Sequence, residues 1–365
     1  MSRAFRISAI LLFAATLAAA QQTMKLDVPL AVHSQAQLHA GDVAISASRA
    51  KVEVNAVEEV APSQVNGEIP IFVVLNRINI GSQRIAPMQQ EIVRWMVEAL
   101  KQRRMICVVT LDMGGYNIIL QPRVPARIAL LAIERYNKEA HVIERDWHSG
   151  ESPATPEEEG AVNATLQSLR IFSTPRSAQE FVSAAHAYAA ELSALAGTFS
   201  RIPGRKPVLL IEQLMPFALD ESDGRLSTGL NTGMHIDITG GFGQASGVGT
   251  TSNTEPDAAL TSEMQQAIEH LNEAHVSMYR VGAVVHTSEP NAEYLARATG
   301  GEDFDNPFDI SGHVREMMND FGPYWIAHAT AVTAAKLDWH PLTVKIAGEK
   351  LHRAPTGFFS VQQAK

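Results

Sequence analysis

The strongest constraint on the fold of this 365-residue chain is a repeated alternation of apolar runs and amphipathic segments between residues 69 and 322. The runs at 71–75 and 208–211 contain only β-branched, aromatic and aliphatic residues, which is typical of strands buried on both faces of a parallel sheet. Between such runs, apolar residues recur at helical spacing, as on one face of 88–100. The alternation predicts an α/β fold with a doubly wound, mainly parallel sheet and helices on both faces.

Strand-like segments flank this region at both ends of the chain. Residues 51–57 alternate apolar and polar side chains with a period of two, and the last 40 residues also favour strands and tight turns. Neither flanking segment, 21–68 or 323–365, is long enough for a stable domain of its own. We therefore expect the two segments to pair and to share one small β layer beside the α/β domain at 69–322.

Two stretches inside the α/β region have the composition of surface segments. Residues 146–160 combine prolines and glycines with three consecutive glutamates, which predicts a surface excursion. Residues 220–255 are rich in Gly, Ser, Thr and Asp, which predicts a long loop that can reach a partner.

The amino terminus has the features of a secretory signal peptide. Arg3 and Arg6 precede an apolar run at 7–20, which ends in three alanines before Gln21. The run is about 14 residues long, whereas a membrane-spanning helix needs about 20. We therefore expect residues 1–20 to be removed and the mature protein, which has no later span, to be secreted or periplasmic.

Composition excludes several classes of function. The formal net charge of −9 at pH 7 would repel a phosphate backbone, so no nucleic-acid partner is expected. Cys107 is the only cysteine, which excludes an intrachain disulfide and a cysteine-based zinc site. Because Cys107 lies inside an apolar run, it is expected to be buried and inert.

Motifs of common catalytic sites are also missing from the sequence. There is no Gly-x-Ser-x-Gly elbow, and His270 and His275 bracket Glu273 at a spacing that fits neither zinc-protease motif. No nucleophile, base and orienting group occur at an informative spacing. We predict that the chain is not an enzyme and has no cofactor; an exported hydrolase is kept as a weaker alternative.

Three stretches in order carry a resemblance to a known family. They are a Pro-Gly-Arg-Lys turn leading into an apolar strand at 202–210, Val-Ser-Met-Tyr-Arg-Val at 276–281, and Ala-Thr-Gly-Gly with the acidic residues that follow at 298–310. They resemble the von Willebrand factor A-related secreted proteins typical of Acidobacteria, as do Tyr324-Trp325 and Gly357-Phe358-Phe359 near the end. The resemblance implies a von Willebrand A-like, Rossmann-like domain.

Better-known relatives of that family bind a divalent cation at the carboxyl ends of the strands, through Asp-x-Ser-x-Ser, a Thr and a later Asp. This chain departs from that pattern at each ligand position that can be placed. Asn76 takes the first Asp place, Gln213 is near the later one, and Ile78, Ile80 and Val124 take the hydroxyl places. Because few oxygen ligands remain and Arg77 adds positive charge, we predict a degenerate site without metal.

The first hypothesis is therefore a non-enzymatic binding or scaffold protein whose partner is an unidentified extracytoplasmic protein. A second hypothesis is a metal-dependent adhesion domain in which Asn79, Ser82 or Glu212 substitutes for the missing ligands. The sequence does not fix the oligomeric state. The predicted partner-binding rim consists of loop residues at the carboxyl strand ends: Asn76, Arg77, Asn79, Ser82, Arg123, Glu212 and Gln213.

Overall fold

The computed structural model describes residues 21–32, 37–64, 67–76, 82–112, 115–120, 124–140, 153–170, 181–212, 218–220, 225–227, 258–282, 290–304, 309–322, 324–334, 338–348 and 351–360. The strands are β1 Gln21–Val32, β2 Val43–Ala47, β3 Lys51–Val60, β4 Ile71–Asn76, β5 Ile106–Asp112, β6 Gly115–Leu120, β7 Lys206–Glu212, β8 Ala218–Asp220, β9 Arg225–Ser227, β10 Val276–Gly282, β11 Asp303–Phe304, β12 Tyr324–Ala334, β13 Asp338–Ile346, β14 Leu351–Arg353 and β15 Gly357–Ser360. The helices are α1 Ser82–Lys101, α2 Ala126–Ala140, α3 Pro156–Arg170, α4 Phe181–Phe199, α5 Ala258–Glu273, α6 Pro290–Ala298 and α7 Ile310–Asp320. None of these helices is long and apolar enough to cross a membrane.

A six-stranded sheet forms the centre of the molecule, with the strand order β11-β10-β7-β4-β5-β6. The five strands from β11 to β5 run parallel, and β6 pairs antiparallel with β5. Every residue of β4, β5, β7 and β10 is buried, as expected for strands covered on both faces. The mixed α/β fold with a mainly parallel sheet is therefore confirmed.

Helices cover both faces of this sheet. Val73 and its neighbours on one face pack against α1, α2, α3 and α7. Phe72 and Val74, which point the other way because side chains alternate along a strand, pack against α4, α5 and α6. Cys107 lies in this second core, where burial raises its pKa to about 12 and keeps the thiol protonated.

Helix α3 corrects the prediction of a surface excursion over 146–160, because it begins at Pro156 within that stretch. Proline is tolerated in the first turn of a helix, and the Thr155 hydroxyl accepts a hydrogen bond from the Glu158 amide at 3.2 Å. The three glutamates stand in the first turn, where the helix dipole favours negative charge. One of them, Glu159, also pairs with Arg135 of α2 at 2.6 Å. Of the predicted loop at 220–255, residues 221–224 and 228–255 lie outside the described residues.

The two ends of the chain meet, as the sequence predicts, but they build two sheets rather than one layer. Strand β12 lies between β1 and β3 in a four-stranded antiparallel sheet of order β14-β1-β12-β3. A second sheet of order β15-β13-β2 faces it across a shared core that includes Leu30, Ile45, Trp325 and Phe358. The alternating strands leave one apolar face on each sheet, and each face covers the other. We call this unit the terminal sandwich.

Arg205 joins the terminal sandwich to the amino-terminal edge of the six-stranded sheet. Its buried guanidinium donates to the Ser277 hydroxyl at 2.9 Å and to the Gly322 carbonyl at 3.1 Å, and it lies 4.4 Å from the ring centroid of Tyr324. The preceding residue, Gly204, has a φ of +81°, and a Cβ there would lie 2.8 Å from the Ala61 carbonyl oxygen. The Pro-Gly-Arg-Lys turn therefore serves the junction and lies at the opposite edge from the predicted site.

His328 crosslinks three strands of the terminal sandwich. Its Nδ1 lies 2.7 Å from Asp27 Oδ1 on β1, and its Nε2 lies 3.2 Å from Glu58 Oε2 on β3. Partial burial of the ring opposes protonation, but the hydrogen bonds and charges of the two carboxylates outweigh it and raise the pKa of His328.

This raised pKa predicts a pH-dependent contribution of His328 to stability. A histidine whose pKa is higher in the folded than in the unfolded protein stabilises the fold when it is protonated. This stabilisation is complete below the unfolded pKa of about 6.5 and is lost as the pH rises through the folded pKa. We expect His328→Gln to lower the free energy of unfolding more at about pH 5 than at about pH 8. Urea unfolding of both proteins at the two pH values measures this, and an equal loss at both would contradict it.

Candidate functional site

The candidate site lies at the carboxyl edge of the six-stranded sheet, between β4 and β7. From β4 the chain builds β5 and β6 on one side, and then β7, β10 and β11 on the other. The crevice where the strand order reverses is the usual place for ligands in open α/β sheets. Asn76 ends β4 and Glu212 ends β7, so both of these predicted site residues stand at that point.

The Glu212 carboxylate is the centre of the site, and three side chains donate to it. The Arg280 Nε donates to Oε1 at 2.6 Å, while the Asn76 amide and the Tyr188 hydroxyl donate to Oε2 at 3.1 and 3.0 Å. Glu212 and Asn76 have no exposed surface. Both carboxylate oxygens are therefore satisfied by the protein itself.

Arg280 connects this carboxylate to a second one. Its guanidinium also donates to Asp303 Oδ1 at 3.0 Å, because the register of the parallel pair β10 and β11 places the two residues opposite each other. Burial opposes the charged form of Arg280, but the Glu212 and Asp303 charges outweigh this and raise its pKa. We call Asn76, Tyr188, Glu212, Arg280 and Asp303 the switch-point cluster.

Tyr188 contributes the only phenol of the cluster, from helix α4. Burial, and next the neighbouring charge of Glu212, raise the pKa of this hydroxyl well above its usual value. It therefore stays protonated and acts as a hydrogen-bond donor to Glu212 rather than as a base.

A second buried carboxylate, that of Glu191, bonds to the adjoining ends of β5 and β6. Glu191 of α4 accepts hydrogen bonds from the Asp112 amide at 3.0 Å and from the Gly115 amide at 2.8 Å. Asp112 in turn accepts from the Asn117 side chain at 3.3 Å. Glu191 therefore holds backbone in place at the same edge of the sheet, and Asp112 bonds to a side chain there.

The structure does not describe the side chains of the remaining predicted rim residues. Ser82 begins α1, but its side chain lies outside the described residues, as do Arg77, Asn79, Arg123 and Gln213 entirely. Because β6 runs antiparallel to β5, Leu120 and Val124 on either side of Arg123 lie beside Ile106, at the amino edge of the sheet rather than at the expected carboxyl edge. Asn76 and Glu212 are brought together, but inside the protein rather than at its surface. Side chains without exposed surface do not contact a partner directly, so Asn76 and Glu212 are not contact residues in this structure.

Sequence reasoning missed Tyr188, Arg280 and Asp303 as site residues. The signal for Arg280 was present: it is a charged residue inside a strand of otherwise small or apolar side chains, and such a residue needs a buried partner. Its partner could not be named, because the pairing depends on which strands become neighbours.

The donor set does not resemble a metal site. Within the described ranges, no group of three or more His, Cys, Asp or Glu side chains is arranged to hold an ion. A divalent cation at Glu212 would have to displace the Arg280 guanidinium from Oε1. The arrangement can hold the strand ends rigid, and it places a protein cation beside the carboxylate.

No family model matches the chain, and no curated protein matches it. Among solved structures, a mutant of the PilB minor pilin from Streptococcus sanguinis is 10% identical with a TM-score of 0.33, covering 71% of this chain and 61% of the pilin chain. The manganese-loaded TRAP protein from Plasmodium vivax is also 10% identical, with a TM-score of 0.31, and covers 88% of this chain and 98% of its own. The chain thus spans less than two thirds of the pilin, and likenesses this weak carry no conclusion.

Proposed function

We propose that this chain is an exported, non-enzymatic binding or scaffold protein built on a von Willebrand A-like domain, and that its partner is another extracytoplasmic protein. The partner would contact the carboxyl edge of the six-stranded sheet, through the loops that follow β4 and β7. The proposal includes a metal site that has degenerated. In it the Arg280 guanidinium supplies the positive charge that a bound cation would otherwise supply beside Glu212.

The observation that carries the proposal is the complete internal satisfaction of Glu212. An adhesion site that uses a metal needs a carboxylate with free coordination positions, whereas both oxygens here accept from Arg280, Asn76 and Tyr188. The same bonds fix the ends of β4, β7 and β10. A rigid edge of this kind can present the residues that follow β4 and β7 to a protein surface.

The first test is a calorimetric titration of the purified protein with Mg²⁺, Mn²⁺ and Ca²⁺. We expect no saturable heat at micromolar metal, because a cation would have to break the ion pair between Glu212 and Arg280. A stoichiometric micromolar heat would instead favour the alternative of an adhesion domain with rearranged ligands.

The second test is capture of partners from the exported fraction, with and without chelator. We expect capture to be insensitive to chelator and to fall at least about tenfold in an Arg77→Glu variant, because rim charge steers association. Arg94→Glu on the exposed side of α1 is the matched charge-reversal control. Loss of capture in the control as well, or on chelation, would count against the proposed rim.

A further inference from the structure

A cleft of about 290 Å³ lies at the amino edge of the six-stranded sheet, the edge opposite to the switch-point cluster. It is formed between the turn that joins α1 to β5 and the adjoining ends of β6 and α2. Its apolar lining comes from Leu100, Met105, Ile106, Leu120 and Val124. The function proposed above makes no use of this cleft.

Two arginines line the cleft beside this apolar surface. Arg103 and Arg104 are exposed, and within the described ranges their guanidinium groups form no hydrogen bond or ion pair. Glu68, also exposed, is the one acidic residue among the described lining residues. The cleft therefore carries a net positive charge, although the formal net charge of the chain is −9.

The backbone of Arg103 has a conformation that favours glycine. Its φ is +58°, and it ends helix α1 in a tight turn. In this turn the Arg103 amide donates to the Leu100 carbonyl at 3.0 Å, and the Arg104 amide donates to the Ala99 carbonyl at 2.8 Å. Glycine is the usual residue at this position of such a helix end, because it has no Cβ. A strained position that carries a long charged side chain points to a use for that side chain.

We propose that this cleft binds an aliphatic carboxylate of medium chain length, such as octanoate. The carboxylate accepts hydrogen bonds from the Arg103 and Arg104 guanidinium groups, and the alkyl tail lies against the half-buried Met105 and Val124. A guanidinium presents parallel donors that match the two oxygens of a carboxylate. A head group with two negative charges fits less well, because Glu68 lines the same cleft.

The size of the cleft sets the length of the tail. Pockets for drug-sized ligands occupy roughly 300–1,000 Å³, and this cleft of about 290 Å³ lies at the lower limit of that range. At about 30 Å³ for each non-hydrogen atom, as in liquid water, it holds about ten such atoms. Octanoate has that size, and a longer chain would extend into solvent.

Calorimetric titration of the purified protein with octanoate tests the proposal. We expect saturable binding with a dissociation constant of about 1 mM or tighter, and binding of 1-octanol, which has the same tail without the charge, at least about tenfold weaker. From butyrate through hexanoate to octanoate, each added methylene should tighten binding by up to about fourfold. Decanoate should gain little over octanoate, because the cleft is then full.

Variants separate the cleft from general attraction of fatty acids to apolar surface. Arg103→Gly should weaken octanoate binding about tenfold and raise the thermal unfolding midpoint, because glycine suits the left-handed backbone. These opposite effects distinguish a lost guanidinium from a damaged fold. Arg104→Gln should weaken binding to a similar extent, whereas Arg201→Gln, at an exposed arginine beyond the end of α4, should leave it unchanged. Absence of saturable octanoate binding, undiminished binding in Arg103→Gly and Arg104→Gln, or equal weakening in Arg201→Gln would overturn the proposal.

Discussion

Arg280→Met is expected to lower the free energy of unfolding by about 3–5 kcal/mol, because it leaves the buried Glu212 carboxylate without its cation. Both partners are almost inaccessible, with side-chain exposures of 6% for Arg280 and 0% for Glu212. Asp303 loses a hydrogen-bond donor at the same time. Urea unfolding of the variant and the parent protein measures the difference.

Two further variants show whether the loss comes from the uncompensated charge. Glu212→Gln keeps an oxygen that accepts from Asn76 and Tyr188, so the Arg280→Met, Glu212→Gln double variant should recover much of the stability. Arg94→Met, whose side chain is 59% exposed beside Glu91, should cost less than about 1 kcal/mol. Equal losses in the single and double variants would mean that Arg280 acts by packing alone.

The parallel sheet was predictable because its strands are buried on both faces. A strand such as β4 or β7 has no polar face, so its composition alone separates it from a helix or an edge strand. The pairing of the two chain ends was also predictable, because neither end segment is long enough to form a stable domain alone. The division of those ends into two facing sheets was not, because it depends on which strands share hydrogen bonds.

Helix α3 shows why composition can mislead. Prolines, glycines and glutamates are frequent in loops, but their order decides their effect. Pro156 stands after a capping threonine, and the three glutamates follow it in the first turn. In that order the same residues begin a helix.

The meeting of Asn76 and Glu212 was predictable, but the position of the chain after β6 was not, because β6 runs antiparallel to β5. The carboxyl ends of β4 and β7 follow from the alternation of elements, and they bring Asn76 and Glu212 together across 136 residues of sequence. The partners of Glu212 come from α4 and β10, and their arrangement depends on strand register and helix packing. Neither strand register nor helix packing can be read from the local sequence. The ion pair between Glu212 and Arg280 could therefore be identified only from the structure.

Gly301→Ala is expected to lower the free energy of unfolding by at least about 3 kcal/mol, because a side chain at this position collides with backbone. A Cβ built on Gly301 would lie 1.8 Å from the carbonyl oxygen of Met278 in β10. The segment is held there by bonds on either side, from the Met278 amide to the Thr299 hydroxyl at 3.0 Å and from the Arg280 amide to the Glu302 carbonyl at 2.8 Å. An alanine would therefore push the segment off β10 and disturb the pairing with β11.

Gly197→Ala is the matched control. The chemical change is the same, but the added methyl group enters open space instead of meeting backbone. Gly197 is exposed inside α4, and no heavy atom lies within 4 Å of the added Cβ. Alanine there should stabilise the protein by about 0.5–1 kcal/mol, because it restricts the unfolded chain and favours the helix. Urea unfolding of both variants should thus give shifts of opposite sign. A loss of less than about 1 kcal/mol in Gly301→Ala would mean that the contact between 299–302 and β10 is looser than the distances indicate.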